Sequence, residues 1–204
     1  MDKKGTFIVF EGGEGSGKDT HIERLKALYP QAIFTREPGG TVLGKQIRQI
    51  LLSKDSVGLA DWTELLLFLA DRAQHAQEVL KPALSAGKIV ISNRFWLSTL
   101  AYQIHARKND ECMALFREAK EKILGDLAPD LCLYLDVTPA IGIERAGRRA
   151  EGHNRIDAEE LAFHERVREG YKKYAPEFNT ITINADKPLE EVWSDVQKAV
   201  ASIL

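Results

Sequence analysis

Thr6-Phe7-Ile8-Val9-Phe10, then Glu11, then Gly12-Gly13-Glu14-Gly15-Ser16-Gly17-Lys18-Asp19-Thr20 is the stretch that decides the fold. The β-branched and aromatic run reads as a buried strand, the glycine-rich segment fits G-x-x-x-x-G-K, and Lys18 to Tyr29 continues with helical period. Strand, loop and helix in that order form a P-loop. Its glycines let the backbone curl so that successive N–H groups point at phosphate oxygens, and the helix N-terminus adds partial positive charge. Lys18 supplies a mobile point charge for the β and γ phosphates. The pattern normally ends in a Ser or Thr whose hydroxyl coordinates Mg²⁺, but Asp19 stands there. Thr20 is turned about 100° away on the helix, so its hydroxyl is directed at the α-phosphate instead. Asp19 is either a metal-organising carboxylate acting through water or a helix N-terminal residue favoured by the dipole.

Outward from this loop, short β-type runs alternate with helical segments, which predicts an α/β fold with a five-stranded parallel sheet and helices on both faces. The strands are Thr6 to Phe10, Ala32 to Thr35, Lys88 to Ser92, Leu131 to Val137 and Thr180 to Asn184. Helices are expected over Lys18 to Tyr29, Leu43 to Ser53, Asp61 to Ala86, Leu97 to Leu124, Pro139 to Ala150, Ala158 to Tyr174 and Pro188 to Ile203. Pro139 and Pro188 are placed as first-turn prolines and Gly87 as a helix stop. No repeat or linker divides the chain, so residues 1–204 read as one domain. Arg145, Arg148, Arg149 and Arg155 flank the irregular stretch Glu151 to Asp157, which marks roughly 145–157 as a lid.

The 28 Lys and Arg residues against 30 Asp and Glu give a formal charge of −2, which removes the broad positive field that nucleic-acid binding requires. The longest apolar run, Leu65 to Ala70, falls far short of the roughly 20 residues of a spanning helix. Phe7 to Phe10 is too short for the core of a signal peptide, so a cytoplasmic location without membrane partners is expected. Cys112 and Cys132 form no metal-binding or redox spacing and read as core residues.

A nucleotide-binding loop alone leaves kinases, GTPase switches, motors and inert binding modules open. The guanine-reading N-K-x-D is absent, and the D-x-x-G at Asp55 to Gly58 follows no strand. Arg36 in Thr35-Arg36-Glu37-Pro38-Gly39-Gly40-Thr41 and Arg94 in Ser92-Asn93-Arg94-Phe95 follow the second and third strands. Ligands gather at the carboxyl ends of such strands, so both arginines are expected to converge on the P-loop and hold a second phosphorylated ligand.

With these motifs in order, and with Phe68-Leu69-Ala70-Asp71-Arg72, Leu97 to Gln103, Pro129-Asp130-Leu131 and the arginine-rich segment ending in Arg155-Ile156, the chain resembles the bacterial thymidylate kinase family nearly end to end. The resemblance implies a P-loop nucleoside monophosphate kinase with a helical lid. It would phosphorylate dTMP to dTDP with ATP and Mg²⁺ and form a homodimer, for which the segment around Leu65 to Leu69 is available. Gly12, Gly13, Glu14, Gly15, Ser16, Gly17, Lys18, Asp19 and Thr20 would bind ATP. Phe68 would stack on thymine, Arg72 would bond its carbonyl, and Thr99 would read the N3 side. Tyr102 would lie under the sugar and exclude a 2′-hydroxyl, with Glu14 near the same sugar. Arg36 and Arg94 would hold the acceptor phosphate. Since Gly13 to Ser16 contain no arginine, the family pattern implies that Arg148 and Arg149 supply the catalytic charge from the lid. Departures are Asp19 and Asn93, where the family usually has a hydroxyl or another residue and an aspartate. A nucleoside monophosphate kinase for another base and a catalytically silent nucleotide-binding protein are the rival readings.

Overall fold

The computed structural model describes residues 5–147 and 154–204; Arg148 and Arg149 lie outside the described residues. Strands β1 (Phe7–Glu11), β2 (Ile33–Arg36), β3 (Val90–Asn93), β4 (Leu131–Asp136) and β5 (Thr180–Asn184) pair in the order β2-β3-β1-β4-β5, all parallel. Side chains alternate across this sheet. Phe7, Val9, Val90, Cys132 and Tyr134 face one core, which also takes in Leu65, Trp96 and Tyr171. Ile8, Phe10, Ile91, Leu133 and Leu135 face the other, with Ile22, Leu25, Val192 and Val196. Both cysteines are free and buried.

All five strands end in a polar residue, Glu11, Arg36, Asn93, Asp136 and Asn184, and the first three of these lie one position beyond the expected spans. Their backbones still pair in the ladder, while their side chains stand at the carboxyl edge of the sheet. That edge is where β1 lies between strands leading off to opposite sides, and where a crevice opens in doubly wound sheets.

The helices follow the expected order: α1 (Lys18–Leu28), α2 (Val42–Leu52), α3 (Asp61–His75), α4 (Lys81–Ser85), α5 (Trp96–Thr99), α6 (Met113–Leu124), α7 (Pro139–Gly147), α8 (Leu161–Tyr174) and α9 (Leu189–Ala201). Two long helices are less regular than expected. The span Asp61 to Ala86 runs through a π segment, Ala76–Leu80, between α3 and α4. Pro82 lacks an N–H and crowds the carbonyl four residues back, so the ladder widens just ahead of it. Gly87 (φ 72) ends this rod, as expected. The span Leu97 to Leu124 is broken outright. After α5 a π segment, Leu100–Ala106, leads to a turn at Lys108 (φ 55) before α6 begins. Arg107 to Glu111 are consecutive polar residues with no apolar position to hold the helix against the core.

Two start sites also shift. Pro188 is the N-cap of α9 (φ −54, ψ 145), not its first helical residue. Helix α8 begins at Leu161, not Ala158, because Asn154 Oδ1 accepts the N–H groups of Ile156 and Asp157 and holds a turn there. Within the segment expected to serve a subunit interface, Leu65 and Leu69 point into the core, because a helix cannot present five successive residues on one face; Leu66 is the exposed member. Among the described residues no helix is long and apolar enough to cross a membrane.

Candidate active site

The P-loop is built on left-handed glycine conformations at Gly12, Gly15 and Gly17, the last being the N-cap of α1. Gly15 has φ +66, and a Cβ there would lie 2.0 Å from the Gly142 carbonyl oxygen of α7. Lys18 Nζ donates to the carbonyls of Gly12 (2.8 Å) and Gly13 (2.9 Å) and to Ser16 Oγ (3.0 Å). Burial, with Arg94 adding to it, pushes the Lys18 ammonium down to about 7. A polyanion brought to the loop favours the charged form and raises that value again. ATP binding at pH 8 is therefore expected to take up close to one proton, and affinity to fall as pH rises above about 7. Calorimetry in buffers of different ionisation enthalpy measures the uptake, and Lys18→Met should abolish it.

A cleft of about 810 Å³, open mouth included, lies beside the loop at the carboxyl edge of β1, β2 and β3. One end carries Lys18, Asp19, Arg36, Arg48, Asn93 and Arg94; the other carries Leu52, Phe68, Arg72, Thr99, Gln103, Asn154 and Ile156, with Tyr102 between them beside Arg94. Phe68 is half-buried, with its ring available to the cleft. Arg72 is buried, its Nε donating to Glu37 Oε2 (2.6 Å), Nη1 to Thr99 Oγ1 (2.9 Å) and Nη2 to the Phe95 carbonyl (2.9 Å), with Trp96 4.3 Å from its guanidinium carbon. Three of its five N–H groups are thereby used, leaving two for a ligand.

Arg94 is the most constrained residue of the site. It adopts φ +74, a left-handed conformation unusual for a bulky side chain. Its Nη1 reaches Gly12 O (3.1 Å), Ser98 Oγ (3.2 Å) and Tyr171 Oη (3.1 Å), and Nη2 reaches Glu14 Oε1 (2.6 Å) and Tyr102 Oη (3.3 Å). Burial works against its charge, but Tyr102, Tyr171, Glu14 and Glu11 outweigh it and keep it a cation. Glu11, fully buried, accepts from the Phe95 N–H (2.8 Å), the Ser98 N–H (3.2 Å) and hydroxyl, and Tyr171 Oη (3.1 Å). One carboxylate thus ties the end of β1 to the turn that presents Arg94.

Asp19 Oδ1 accepts from Asn93 Nδ2 at 2.8 Å and meets Arg36 Nη2 at 3.4 Å. Asn93 Oδ1 is buried and has no hydrogen-bond partner. A second cleft is lined by Gly15 to His21 together with Arg145, Ala185, Lys187, Leu189 and Val192. Lys18 and Asp19 line both clefts.

The acceptor-site candidates Glu14, Arg36, Phe68, Arg72, Arg94, Thr99 and Tyr102 are all brought into the first cleft, and Gly15 to Thr20 into the second. Arg155, counted with the lid charges, turns inward instead: it is buried and pairs with Glu64. Sequence reasoning missed Glu11, Arg48, Ser98, Gln103 and Tyr171. A carboxylate closing the otherwise apolar Phe7–Glu11 strand was the available signal for Glu11. Nothing local marks Tyr171, which lies 77 positions from Arg94.

A thymidylate kinase family model matches residues 10–196. The thymidylate kinase of Desulfovibrio desulfuricans is 46% identical over 214 residues, covering 97% of this chain and 96% of the relative. That of Maridesulfovibrio salexigens is 43% identical over 206 residues, covering 95% and 94%. The crystal structure of the Ehrlichia chaffeensis thymidylate kinase superposes with a TM-score of 0.75 at 30% identity, covering 97% of this chain and 99% of that one. Alike in sequence to these enzymes over nearly all its length, and built on the same five-stranded sheet, the chain belongs to the thymidylate kinase family.

Proposed function

We propose that the chain transfers the terminal phosphoryl group of ATP to dTMP, giving dTDP. The observation that carries this reading is the pair of clefts meeting at Lys18 and Asp19, which lets a donor and an acceptor phosphate converge on one P-loop. ATP takes the cleft lined by Gly15 to Thr20 and dTMP the one lined by Arg36 and Arg94. Phe68 stacks on the thymine ring, the two remaining N–H groups of Arg72 face a ring carbonyl, and Thr99 Oγ1 accepts from N3–H. Tyr102, fixed between Arg94 and Glu14, closes the space a 2′-hydroxyl needs. The acceptor phosphate is already an anionic nucleophile near neutral pH, so no general base is required. Catalysis reduces to in-line positioning and charge neutralisation by Lys18 and Arg94, with Arg148 and Arg149 of the 145–157 lid in the same role. The single-domain reading, a cytoplasmic location, and a homodimer through the exposed Val42, Leu43, Ile50 and Leu66 of α2 and α3 belong to the same proposal.

Mg²⁺ fits this site by its chemistry. The unpartnered buried oxygen of Asn93 beside the Asp19 carboxylate offers hard oxygen donors next to Lys18. Among the described residues no cluster of three acidic, His or Cys side chains exists, so Asp19 and Asn93 would hold the ion together with ligands from outside the protein. When bound, the ion neutralises charge on the donor phosphates. Asp19 takes the carboxylate role that Asn93 lacks. Asp19→Ser is expected to weaken Mn²⁺ binding in the ATP complex about tenfold, and adding Asn93→Asp to restore most of it, a non-additive cycle read by water-proton relaxation. Unchanged Mn²⁺ affinity in Asp19→Ser removes Asp19 from this role.

The functional reading is tested by coupled ADP detection with dTMP, dUMP, UMP, dCMP and AMP. The highest kcat/KM is expected for dTMP. A better substrate among the others makes the chain a kinase for another base.

A further inference from the structure

Glu64, on α3, lies outside the cleft and is almost wholly buried, at 1% exposure. Its carboxylate gathers donors from parts of the chain remote in sequence. Oε1 accepts from Gln103 Nε2 at 2.9 Å and faces Arg107 Nε at 3.5 Å; Oε2 accepts from Arg155 Nη2 at 2.5 Å and faces Arg107 Nη2 at 3.4 Å. Arg155 Nε also donates to the Leu51 carbonyl at 3.0 Å, which pins its guanidinium between α2 and α3. Burial alone would raise the Glu64 carboxyl; Arg107, Gln103 and Arg155 outweigh it and hold it below the ordinary range. Arg107 is shared with Asp61 and Glu159, so the cluster carries both signs.

Gln103 lines the cleft from the π segment, and Asn154 and Ile156, the two neighbours of Arg155, line it at the same end. Both walls therefore depend on one carboxylate. We propose that Glu64 is a positioning residue that sets the width and polarity of the base end of the acceptor cleft by holding Gln103 and, through Arg155, the Asn154–Ile156 wall in register. The proposal rests on that cleft taking the dTMP base. No contact of Glu64 reaches the P-loop or the second cleft, so its influence falls on one substrate only.

The test is calorimetric binding of dTMP and ATP to the wild-type chain, Glu64→Gln and Arg155→Met, with thermal unfolding recorded for each. Glu64→Gln keeps the shape but removes the charge that holds both arginines. It is expected to weaken dTMP about tenfold while ATP stays within about twofold. Arg155→Met, which leaves Glu64 paired with Arg107, is expected to weaken dTMP several-fold with the same selectivity and serves if Glu64→Gln does not fold. Equal weakening of both nucleotides, or unchanged dTMP affinity in a folded variant, overturns the positioning role. A wild-type chain that binds ATP but not dTMP overturns the functional reading itself.

Discussion

Arg94→Ala is expected to lower kcat for dTMP phosphorylation by about two to three orders of magnitude, the scale for losing a preorganised charge beside a reacting centre, with little change in the KM for ATP. The residue's backbone strain, its bonds to Gly12, Ser98, Tyr171, Tyr102 and Glu14, and the Glu11 carboxylate behind it all fix one guanidinium orientation. Such a fixed cation neutralises charge without reorganising during transfer. Arg94→Lys keeps the charge but loses the planar fork, and is expected to recover only a minor part of the rate. Steady-state kinetics at saturating dTMP make the measurement. A kcat within about threefold of the parent in Arg94→Ala would show that the acceptor end works without it.

Gly15→Ala is expected to be comparably damaging by a different route. The left-handed conformation disfavours any Cβ by about 1–2 kcal/mol, and this Cβ meets a backbone oxygen of α7 at 2.0 Å, which no side-chain rotation relieves. Loop and helix must separate, so the ATP KM is expected to rise on the order of a hundredfold or more. Gly13→Ala is the control. A Cβ at Gly13 meets only Val137 Cγ1, at 4.0 Å, and its φ is not left-handed, so less than about a threefold change is expected. Equal effects of the two substitutions would refute the close-approach argument.

The contrast between these glycines shows which parts of the molecule were legible in the sequence. The strands were readable because Phe7 to Phe10 and Leu131 to Leu135 are apolar on both faces, as a sheet covered on two sides demands. The P-loop was readable because its chemistry is local, and Arg36 and Arg94 because strand ends in such sheets converge. The π segment Leu100–Ala106 was not, since it carries an ordinary helical composition and packs against α8, which is remote in sequence. Gly15 and Gly142, Glu11 and Tyr171, and Glu64 and Arg155 are partners separated by long stretches of chain, and neither residue of a pair announces the other. What looked like a lid charge at Arg155 became a buried ion pair for that reason.

On the proposed function, a phosphoryl group passes from ATP to dTMP across the Lys18–Arg94 junction. Incubating the chain with dTMP, Mg²⁺ and ATP labelled in its terminal phosphate, then separating the products, measures this directly. Label is expected in the β-phosphate of dTDP in one-to-one amount with ADP, with almost none as inorganic phosphate. Label remaining in ATP, or released to water at the same rate with and without dTMP, would contradict it.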